Sequence, residues 1–319
     1  MRLTENETKV LSVLHMEANA PAAFVEKRTG LPNHTINYCL RSLHERELIT
    51  RVPFIDLSKL GYMNYGILAA ISSEDRKTRD RFRRFLIESP GVSFVSELGG
   101  EYQYWFAYET KSMTDVRDFL DSLEPRFGPI LVHKAIAARI QFLDFRLSYA
   151  LGNSCRVKSI SWRDEPGSLV LDKQDHQILK AISVADMKSN REVARELGLA
   201  NSTFESRLRR LRERKILIGY RYLLNTVALG VQHFAILLFT KGSGSQFRER
   251  LKQFAFDHPN IRFLVQSIGG WDYELGVETF DSRIMSAVTE DIYEQFGTDL
   301  ISIKVLPVFQ YLKIQLYPF

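Results

Sequence analysis

The chain has 319 residues, of which 45% are hydrophobic and 25% charged, and its formal net charge at pH 7 is +5. This composition excludes a disordered, fibrous or low-complexity protein, and the length alone suggests about two domains. The moderate positive charge favours polyanionic partners, although charge alone says nothing about the fold.

Targeting, redox and catalytic signals are missing from the sequence. The N-terminal segment has no apolar core of the signal-peptide kind, and no apolar run approaches the ~18 residues of a membrane span, so we expect a cytoplasmic protein. Cys39 and Cys155 are far apart and show no metal-ligand spacing, which predicts neither a disulfide nor a metal site. The sequence contains no phosphate-binding loop, dinucleotide fingerprint or nucleophile elbow, so we expect no catalytic residues and no cofactor.

The first predicted unit, residues 1–55, is a helix-turn-helix domain. Gly30 follows a short helix that contains Val25, and glycine readily adopts the left-handed conformation that ends a helix. Asn33 is the predicted cap of the next helix, whose apolar positions are four and three residues apart: Ile36, Leu40 and Leu43. Its exposed face carries the DNA-contacting residues predicted for this head: His34, Tyr38 and Arg41.

Residues 56–150 predict a small α/β domain. The order is a strand, a polar helix that ends at Pro90, two strands joined near a glycine pair, a helix that ends at Phe127, and a last strand. This βαββαβ order is typical of a ferredoxin-like fold, with the helices on one face of an antiparallel sheet. The predicted ranges are 65–71, 76–88, 92–98, 102–108 and 131–140.

The whole arrangement then repeats. A shift of 168 positions places Gly30 on Gly198, and it matches the segment 40–46 to 208–214 with five identities. One extra residue changes the shift to 169, which then pairs Pro90 with Pro259. Between the copies, residues 151–168 read as a linker that is rich in turn-forming residues: Gly152, Asn153, Ser154, Pro166 and Gly167.

The second head, residues 169–223, is the stronger candidate for binding DNA. Asn201 and Ser202 are predicted caps of a helix that buries Phe204, Leu208 and Leu211. At 100° per residue the opposite face carries hydroxyl groups and arginines, which suit contacts to base edges and phosphates in a major groove. The predicted DNA-contacting residues are Ser202, Ser206, Arg207, Arg209 and Arg210. The alternative for either head is a domain that only packs against its neighbours and has a solvated charged face.

The second α/β domain, residues 224–319, completes an α+β chain made of two winged-helix-type heads and two ferredoxin-like tails. We expect the two tails to pack on each other as an intrachain pseudo-dimer, because the exposed sheet face of such a unit commonly pairs with another. Two unequal heads should then read an imperfectly palindromic site on double-stranded DNA. Whether chains associate further into a homo-oligomer stays open.

A head followed by this tail resembles the leucine-responsive/AsnC family of regulators. The resemblance rests on the Leu171-Asp172-x-x-Asp175 start of the head, the Arg207-Leu208-x-Arg210-Leu211 run, and the turn Gly269-Gly270-Trp271-Asp272-Tyr273. It covers almost the whole chain twice, whereas the family usually has one unit per chain. The first copy departs from the pattern at Thr4-Glu5 and at Gln103, which replaces the turn aspartate.

The resemblance implies a small effector, an amino acid or a related metabolite, bound near the glycine turn of the tail. There glycine lets the backbone approach a ligand, and a carboxylate can hold an ammonium group. The expected effector residues are Gly269, Gly270, Asp272 and Tyr273, with Gly100 and Gln103 forming an altered site in the first copy. The alternative is a tight turn in which Asp272 only accepts backbone hydrogen bonds.

The architecture also resembles that of siroheme decarboxylases, which are built from paired head-and-tail copies. Trp105-Phe106 is similar to a strand of those enzymes, while Ser93-Phe94-Val95-Ser96 stands where they carry a histidine-bearing stretch. A tetrapyrrole enzyme is therefore the alternative to a DNA-binding regulator.

Overall fold

The computed structural model describes residues 2–72, 75–152, 160–162, 167–184, 186, 188–242 and 244–319. Four residues named above lie outside the described residues: Asn153, Ser154, Cys155 and Pro166.

The first head has three helices and one strand: α1 (Glu5–Leu14), α2 (Ala22–Thr29), α3 (Asn33–Glu45) and β1 (Ile49–Ile55). Thr4 caps α1 in a capping box with Glu7, and Gly30 ends α2 with φ of 70°. The predicted cap at Asn33 is wrong, because Asn33 is already helical and Pro32 stands at the cap position without a side-chain hydrogen bond. Proline is compatible with this position because its fixed φ suits the start of a helix.

The first tail has the predicted βαββαβ order, after a 3-10 turn at Leu57–Leu60. Its elements are β2 (Met63–Ile71), α4 (Arg76–Glu88), β3 (Val92–Leu98), β4 (Tyr104–Thr110), α5 (Met113–Asp121), α6 (Glu124–Phe127) and β5 (Leu131–Asp144). The last strand is longer than predicted. A one-turn helix, α7 (Ser148–Leu151), and a short strand, β6 (Ile160–Trp162), follow, so the predicted linker contains a strand that pairs with β5.

The second head repeats the first with α8 (Lys173–Ser183), α9 (Asn190–Glu196), α10 (Asn201–Glu213) and β7 (Leu217–Leu224). Asp172 caps α8 at the position that Thr4 occupies in the first copy. The predicted caps at Asn201 and Ser202 are also wrong, since both residues are already helical and Ala200 stands at the cap position without a side-chain hydrogen bond.

The second tail contains β8 (Gln232–Thr240), α11 (Ser245–Asp257), β9 (Ile261–Gly269), β10 (Tyr273–Thr279), α12 (Ile284–Phe296) and β11 (Leu300–Ile314). It has the same order of elements as the first tail. Strand β11 is the longest described strand of this copy, and it reaches across to the first tail.

The two tails share one sheet, in the order β2-β4-β3-β11-β8-β10-β9-β5-β6. Because β2 also pairs with β5, eight of these strands close into a barrel, and β6 lies outside it. Two symmetry-related seams join the copies: β3 pairs with β11, and β9 pairs with β5. The predicted pseudo-dimer of tails is confirmed, and hydrogen-bonded strand edges hold it together. Closure leaves none of these eight strands with an unpaired edge.

The wings of the two heads also join, since β1 pairs antiparallel with β7 over the full length of β1. Each head core includes residues from the other copy. Ile55 and Leu57 pack with the second head, whereas Tyr222 and Val231 pack with the first. The two heads are therefore held at a fixed separation by a shared ribbon.

Strand alternation sends every second side chain of β4 into the barrel. Tyr104 and Phe106 pack under the helices of the first tail, while Trp105 faces the barrel core. Burial of each large apolar side chain contributes roughly 1.5–3 kcal/mol to the stability of these layers. No helix in the described part of the chain is both long and apolar enough to cross a membrane.

Candidate nucleic-acid interface and effector turn

The outward face of α10 carries the residues that the helical geometry predicts. Ser202, Ser206 and Arg209 are exposed, while Phe204, Leu208 and Leu211 are buried in the head core. In the first head, His34 and Arg41 are exposed, and Tyr38 is 70% exposed. The contact of these residues with DNA stays a prediction.

Two of the predicted arginines are engaged inside the second head. Arg207 Nη1 donates to Asp172 Oδ2 and Asp175 Oδ1, both at 2.7 Å, and Arg210 Nη2 donates to Asp175 Oδ2 at 2.5 Å. Asp175 is buried, with 1% of its side chain exposed. The hydrogen bond from Arg207 is the main reason that the pKa of Asp172 is lowered to about 2. These two guanidinium groups therefore brace α10 against the start of α8.

The sequence signal for this brace was present but was interpreted as two separate motifs. Asp172 and Asp175 are three positions apart, and so are Arg207 and Arg210, which places each pair on one helix face. Helical periodicity gives the direction of a side chain but not its partner on another helix. The family-like aspartates and arginines are thus two halves of one salt-bridge cluster.

The second head still has cations without an ion-pair partner among the described residues. Arg209 and Arg212 are exposed on α10, and Arg191 and Arg195 are exposed on α9. Arg212 was not among the DNA-contacting residues predicted for this helix. These four guanidinium groups are free to meet phosphates.

The first head has a smaller version of the brace. Glu7 occupies the position of Asp175 and accepts a hydrogen bond from Arg46 at 2.6 Å. The positions of Arg207 and Arg210 carry Cys39, which is buried, and Ser42. On α3, Arg41 is the exposed arginine, so this helix presents less positive charge than α10.

The glycine turn predicted to hold an effector is packed against the other copy. Gly269 has φ of 122°, and a Cβ atom there would lie 2.8 Å from the backbone oxygen of Ile136 on β5. Gly270 makes a similarly close approach, and its N–H donates to the Ile136 oxygen at 2.8 Å. Glycine is required here by the seam between the tails. Gly100 of the first copy has φ of 94° and open space around it.

Asp272 accepts hydrogen bonds from the end of the neighbouring strand β8. Its Oδ2 atom accepts hydrogen bonds from the backbone N and Oγ1 of Thr240, at 2.7 and 2.9 Å. Gln103 does the same in the first copy, where Oε1 accepts from the backbone N of Ile71 at 2.8 Å. Tyr273 is buried in the core of the second tail. An effector at this turn stays a prediction, and the carboxylate expected to hold it is engaged with Thr240.

The barrel interior contains a buried polar network that was not predicted. Arg139 donates from Nε to Glu274 Oε1 at 2.9 Å, and Trp271 Nε1 donates to the same oxygen at 2.8 Å. Farther along, Tyr149 donates to Glu278 Oε2 at 2.6 Å, and His233 lies 3.4 Å from the other oxygen. The sequence signal that could have predicted this network is the presence of charged residues at inward-facing positions of otherwise apolar strands. A cavity of about 220 Å³ lies within this network.

Comparison with known proteins agrees with the geometry of the second head. The family described as winged helix-turn-helix DNA-binding matches residues 171–217. The HTH-type transcriptional regulator Ptr1 of Methanocaldococcus jannaschii is 39% identical over 75 residues, which cover 23% of this chain and 51% of Ptr1. The proline dehydrogenase transcriptional activator of Rhizobium radiobacter is 32% identical over 117 residues, which cover 35% of this chain and 73% of the activator.

A likeness over the whole chain is found with a solved structure, the siroheme decarboxylase NirDL in complex with an iron-uroporphyrin III analogue. It has a TM-score of 0.64 and 12% identity, and it covers 99% of this chain and 94% of NirDL. At this identity the likeness establishes a shared paired architecture and no shared activity. The sequence relatives are transcription regulators, and one of them is matched over most of its length. The chain belongs to the leucine-responsive/AsnC family of helix-turn-helix regulators.

Proposed function

We propose that this protein is a transcription regulator that binds double-stranded DNA mainly through its second head. The observation that carries the proposal is the surface of α10, where exposed Arg209 and Arg212 lie beside the hydroxyl groups of Ser202 and Ser206. Such a surface offers phosphate contacts from arginine and hydrogen bonds to base edges from serine. The braced arginines, Arg207 and Arg210, hold this helix in place, and their charge is balanced by Asp172 and Asp175.

The arrangement of the heads supports a particular kind of operator. The β1–β7 ribbon relates the heads by approximate two-fold symmetry, while their recognition helices differ in sequence. The site on DNA is then an imperfect palindrome with one strongly and one weakly read half. Half-sites on one face of the duplex are spaced by about one helical turn or a multiple of it.

The tails are proposed to respond to a small molecule, an amino acid or a related metabolite, as the family resemblance implies. The turn from Gly269 to Tyr273 is the predicted site, with Gly100 and Gln103 as its counterpart. Calorimetry with a panel of amino acids tests this site directly. An effector whose binding is unaffected by Asp272→Ala is bound elsewhere in the chain.

Selection of genomic DNA fragments by the full chain, followed by footprinting, tests the main proposal. We expect enrichment of a short sequence with two unequal half-sites. The double variant Arg209→Ala, Arg212→Ala should bind the selected site about 100-fold more weakly, because it removes two charge-assisted contacts. The matched control, Arg117→Ala with Arg283→Ala, removes two exposed arginines of the tails and should bind normally.

Failure to enrich any sequence above random fragments would contradict the proposal, and so would equal losses in the two double variants. An absorbance titration with iron-uroporphyrin tests the alternative of a tetrapyrrole enzyme. Stoichiometric binding of the pigment together with loss of an acetate carboxyl group would replace the regulator with that enzyme.

A further inference from the structure

The cavity inside the barrel lies at the junction of heads and tails. Its volume, about 220 Å³, is below the roughly 300–1,000 Å³ of sites for drug-sized ligands, so it suits a small metabolite. Aromatic side chains form much of its wall: Phe94, Trp105, Phe142, Trp162, Phe234 and Phe263. Flat apolar surfaces of this kind favour a ligand with a flat or branched hydrocarbon body.

Around Asp144, three guanidinium groups lie close to two carboxylates, while Arg139, Glu109 and Glu274 line the rest of the cavity. Arg221 and Arg262 both donate to the single carboxylate of Asp144, and all three side chains are buried. Glu278 also attracts Arg262, but Tyr149 and His233 already bond to that carboxylate. Arg146 adds a third guanidinium nearby, and its buried Nη1 has no hydrogen-bond partner within the described ranges. A buried excess of positive charge is costly without an anion.

Apart from Glu274 Oε2, which forms an ion pair with Arg139, three buried polar atoms of cavity-lining residues have no hydrogen-bond partner in the part of the chain that the structure describes: His15 Nε2, Trp105 Nε1 and Arg221 Nε. Each belongs to a side chain that is more than nine-tenths buried. A buried polar atom left without a partner costs roughly 1–3 kcal/mol, so three around one cavity indicate that something else satisfies them.

The protonation state of His15 defines what it offers. Its Nδ1 lies 2.9 Å from the backbone oxygen of Tyr222, so Nδ1 carries the proton and donates. Burial, followed by the positive charge of Arg262, lowers the pKa of His15 to about 3, and the ring is therefore neutral near pH 7. The unpartnered Nε2 is then an acceptor, while Arg221 Nε and Trp105 Nε1 are donors.

We propose that this cavity binds a small carboxylic acid that has an apolar, preferably aromatic, body and a hydroxyl group next to the carboxylate. The carboxylate accepts hydrogen bonds from Arg221 and compensates the excess positive charge. The hydroxyl group donates to His15 Nε2, and the body lies against the aromatic wall. An ammonium group in place of the hydroxyl is disfavoured by the neighbouring arginines.

The site is built from four parts of the chain, which belong to both heads and both tails. His15 follows α1 in the first head, Asp144 ends β5 of the first tail, Arg221 lies on the wing β7 of the second head, and Arg262 lies on β9 of the second tail. Occupation would stabilise one arrangement of heads on tails and so change DNA affinity. This regulatory consequence rests on the proposed function, whereas binding of the acid does not.

Tryptophan fluorescence of the full chain, without DNA, measures binding directly, because two of the three tryptophans line the cavity. The probe is 3-phenyllactate, with 3-phenylpropionate, L-phenylalanine and inorganic phosphate as comparisons. We expect a saturable change with 3-phenyllactate and about 3- to 10-fold weaker binding of 3-phenylpropionate, which lacks the donor to His15. L-Phenylalanine should also bind more weakly, and phosphate should give no saturable change.

Two variants test the location of the site. Arg221→Gln should weaken 3-phenyllactate binding at least about 10-fold through the lost charge-assisted bond. Ala107→Leu fills the cavity while leaving every polar group in place, and it should abolish binding even if Arg221→Gln does not fold. The control Arg117→Gln removes an exposed guanidinium from α5 and should bind normally.

No saturable change with 3-phenyllactate, or unchanged binding by Ala107→Leu, overturns the inference. A gel-shift assay with and without 3-phenyllactate is carried out separately. If the chain binds the acid but selects no DNA, the proposed function is wrong and the cavity site stands. If the chain selects DNA but does not bind the acid, the cavity site is wrong and the proposed function stands.

Discussion

The two copies have nearly the same backbone but use their charged residues differently. In the second head the buried carboxylate of Asp175 bonds to Arg207 and Arg210, and two further arginines of α10 remain exposed. In the first head Glu7 bonds to Arg46, and Arg41 is the exposed arginine of α3. The comparison shows that a basic helix contains arginines of two kinds, those that brace the helix through ion pairs and those that remain exposed; the exposed ones are the proposed DNA contacts.

The largest expected difference between the copies is in the salt-bridge clusters. Asp175→Asn leaves two guanidinium groups with one carboxylate, that of Asp172, and we expect it to lower the free energy of unfolding by about 2 kcal/mol. This is below the loss for a fully buried pair because both arginines are partly exposed. Glu7→Gln should cost about 1 kcal/mol, since one arginine is affected. Urea unfolding of both variants checks the order, and an equal loss would show that the two braces are equivalent.

The second largest expected difference between the two heads is in their contribution to DNA affinity. Arg209→Ala removes an exposed arginine of α10 and should weaken binding to the selected site about 10-fold, while reducing the salt slope by about 0.9. Arg41→Ala in the first head should weaken binding less than about 3-fold, because fewer cations surround it. Fluorescence anisotropy at several salt concentrations measures both quantities. If Arg41→Ala has the greater effect, the assignment of the heads is reversed.

The pH dependence of stability should reveal His15, whose counterpart in the second copy is Ser183. The pKa of His15 is about 3 in the folded chain and about 6.5 when unfolded, so the unfolded chain binds more protons below pH 6.5. The stability from this group is therefore present above about pH 6.5 and decreases as the pH falls toward 3. From pH 7.5 to 6.0 the loss is about 0.8 kcal/mol.

His15→Ser makes the first copy resemble the second at this position and removes that loss. Burial also lowers the pKa of His258, which gives a stability change of the same sign in the wild-type protein and in the variant. This contribution cancels in the difference between them. The free energy of unfolding is measured at pH 7.5 and 6.0 for the wild-type protein and for His15→Ser. An equal change between the two pH values in both proteins would assign the pH dependence to other groups.

The smallest expected difference lies in the tail turns. Asp272→Asn keeps an acceptor for Thr240 but removes its charge, and we expect a loss of about 0.5 kcal/mol. Gln103→Glu gives the first copy a charged acceptor for Ile71 and should change stability by less than about 0.5 kcal/mol. Thermal unfolding measures both, and a loss well above 1 kcal/mol for Asp272→Asn would show that its charge has a further partner.

The order of elements could be predicted because local signals repeat in register. Gly30 and Gly198 follow the second helix of each head, and Pro90 and Pro259 follow the first helix of each tail. Each of these helix-ending signals therefore occurs twice in the sequence. The faces of α3 and α10 also followed from helical periodicity. The caps were misplaced at Asn33 and Asn201, because cap preferences shift easily by one residue.

Contacts between distant segments could not be predicted. The brace joins Asp175 to Arg210 across two helices, and the barrel seam joins Ala137 to Gly269. Neither pairing leaves a periodic trace in one sequence, since periodicity reports the face of an element and not its partner. The inward charges of β9 and β10, such as Arg262 and Glu278, indicate a polar interior only after the barrel closes.

The closed barrel also has a consequence for how this regulator behaves on dilution. A two-subunit protein of this design must first find its partner, so the fraction able to grip both half-sites decreases as the protein becomes scarce. Here the copies are tethered in one chain and joined by two strand seams, and the pair forms at any concentration. The copies also cannot exchange with those of other chains without breaking a seam. The proposed reading of two half-sites therefore does not depend on the protein concentration, and each molecule keeps its own unequal pair of heads.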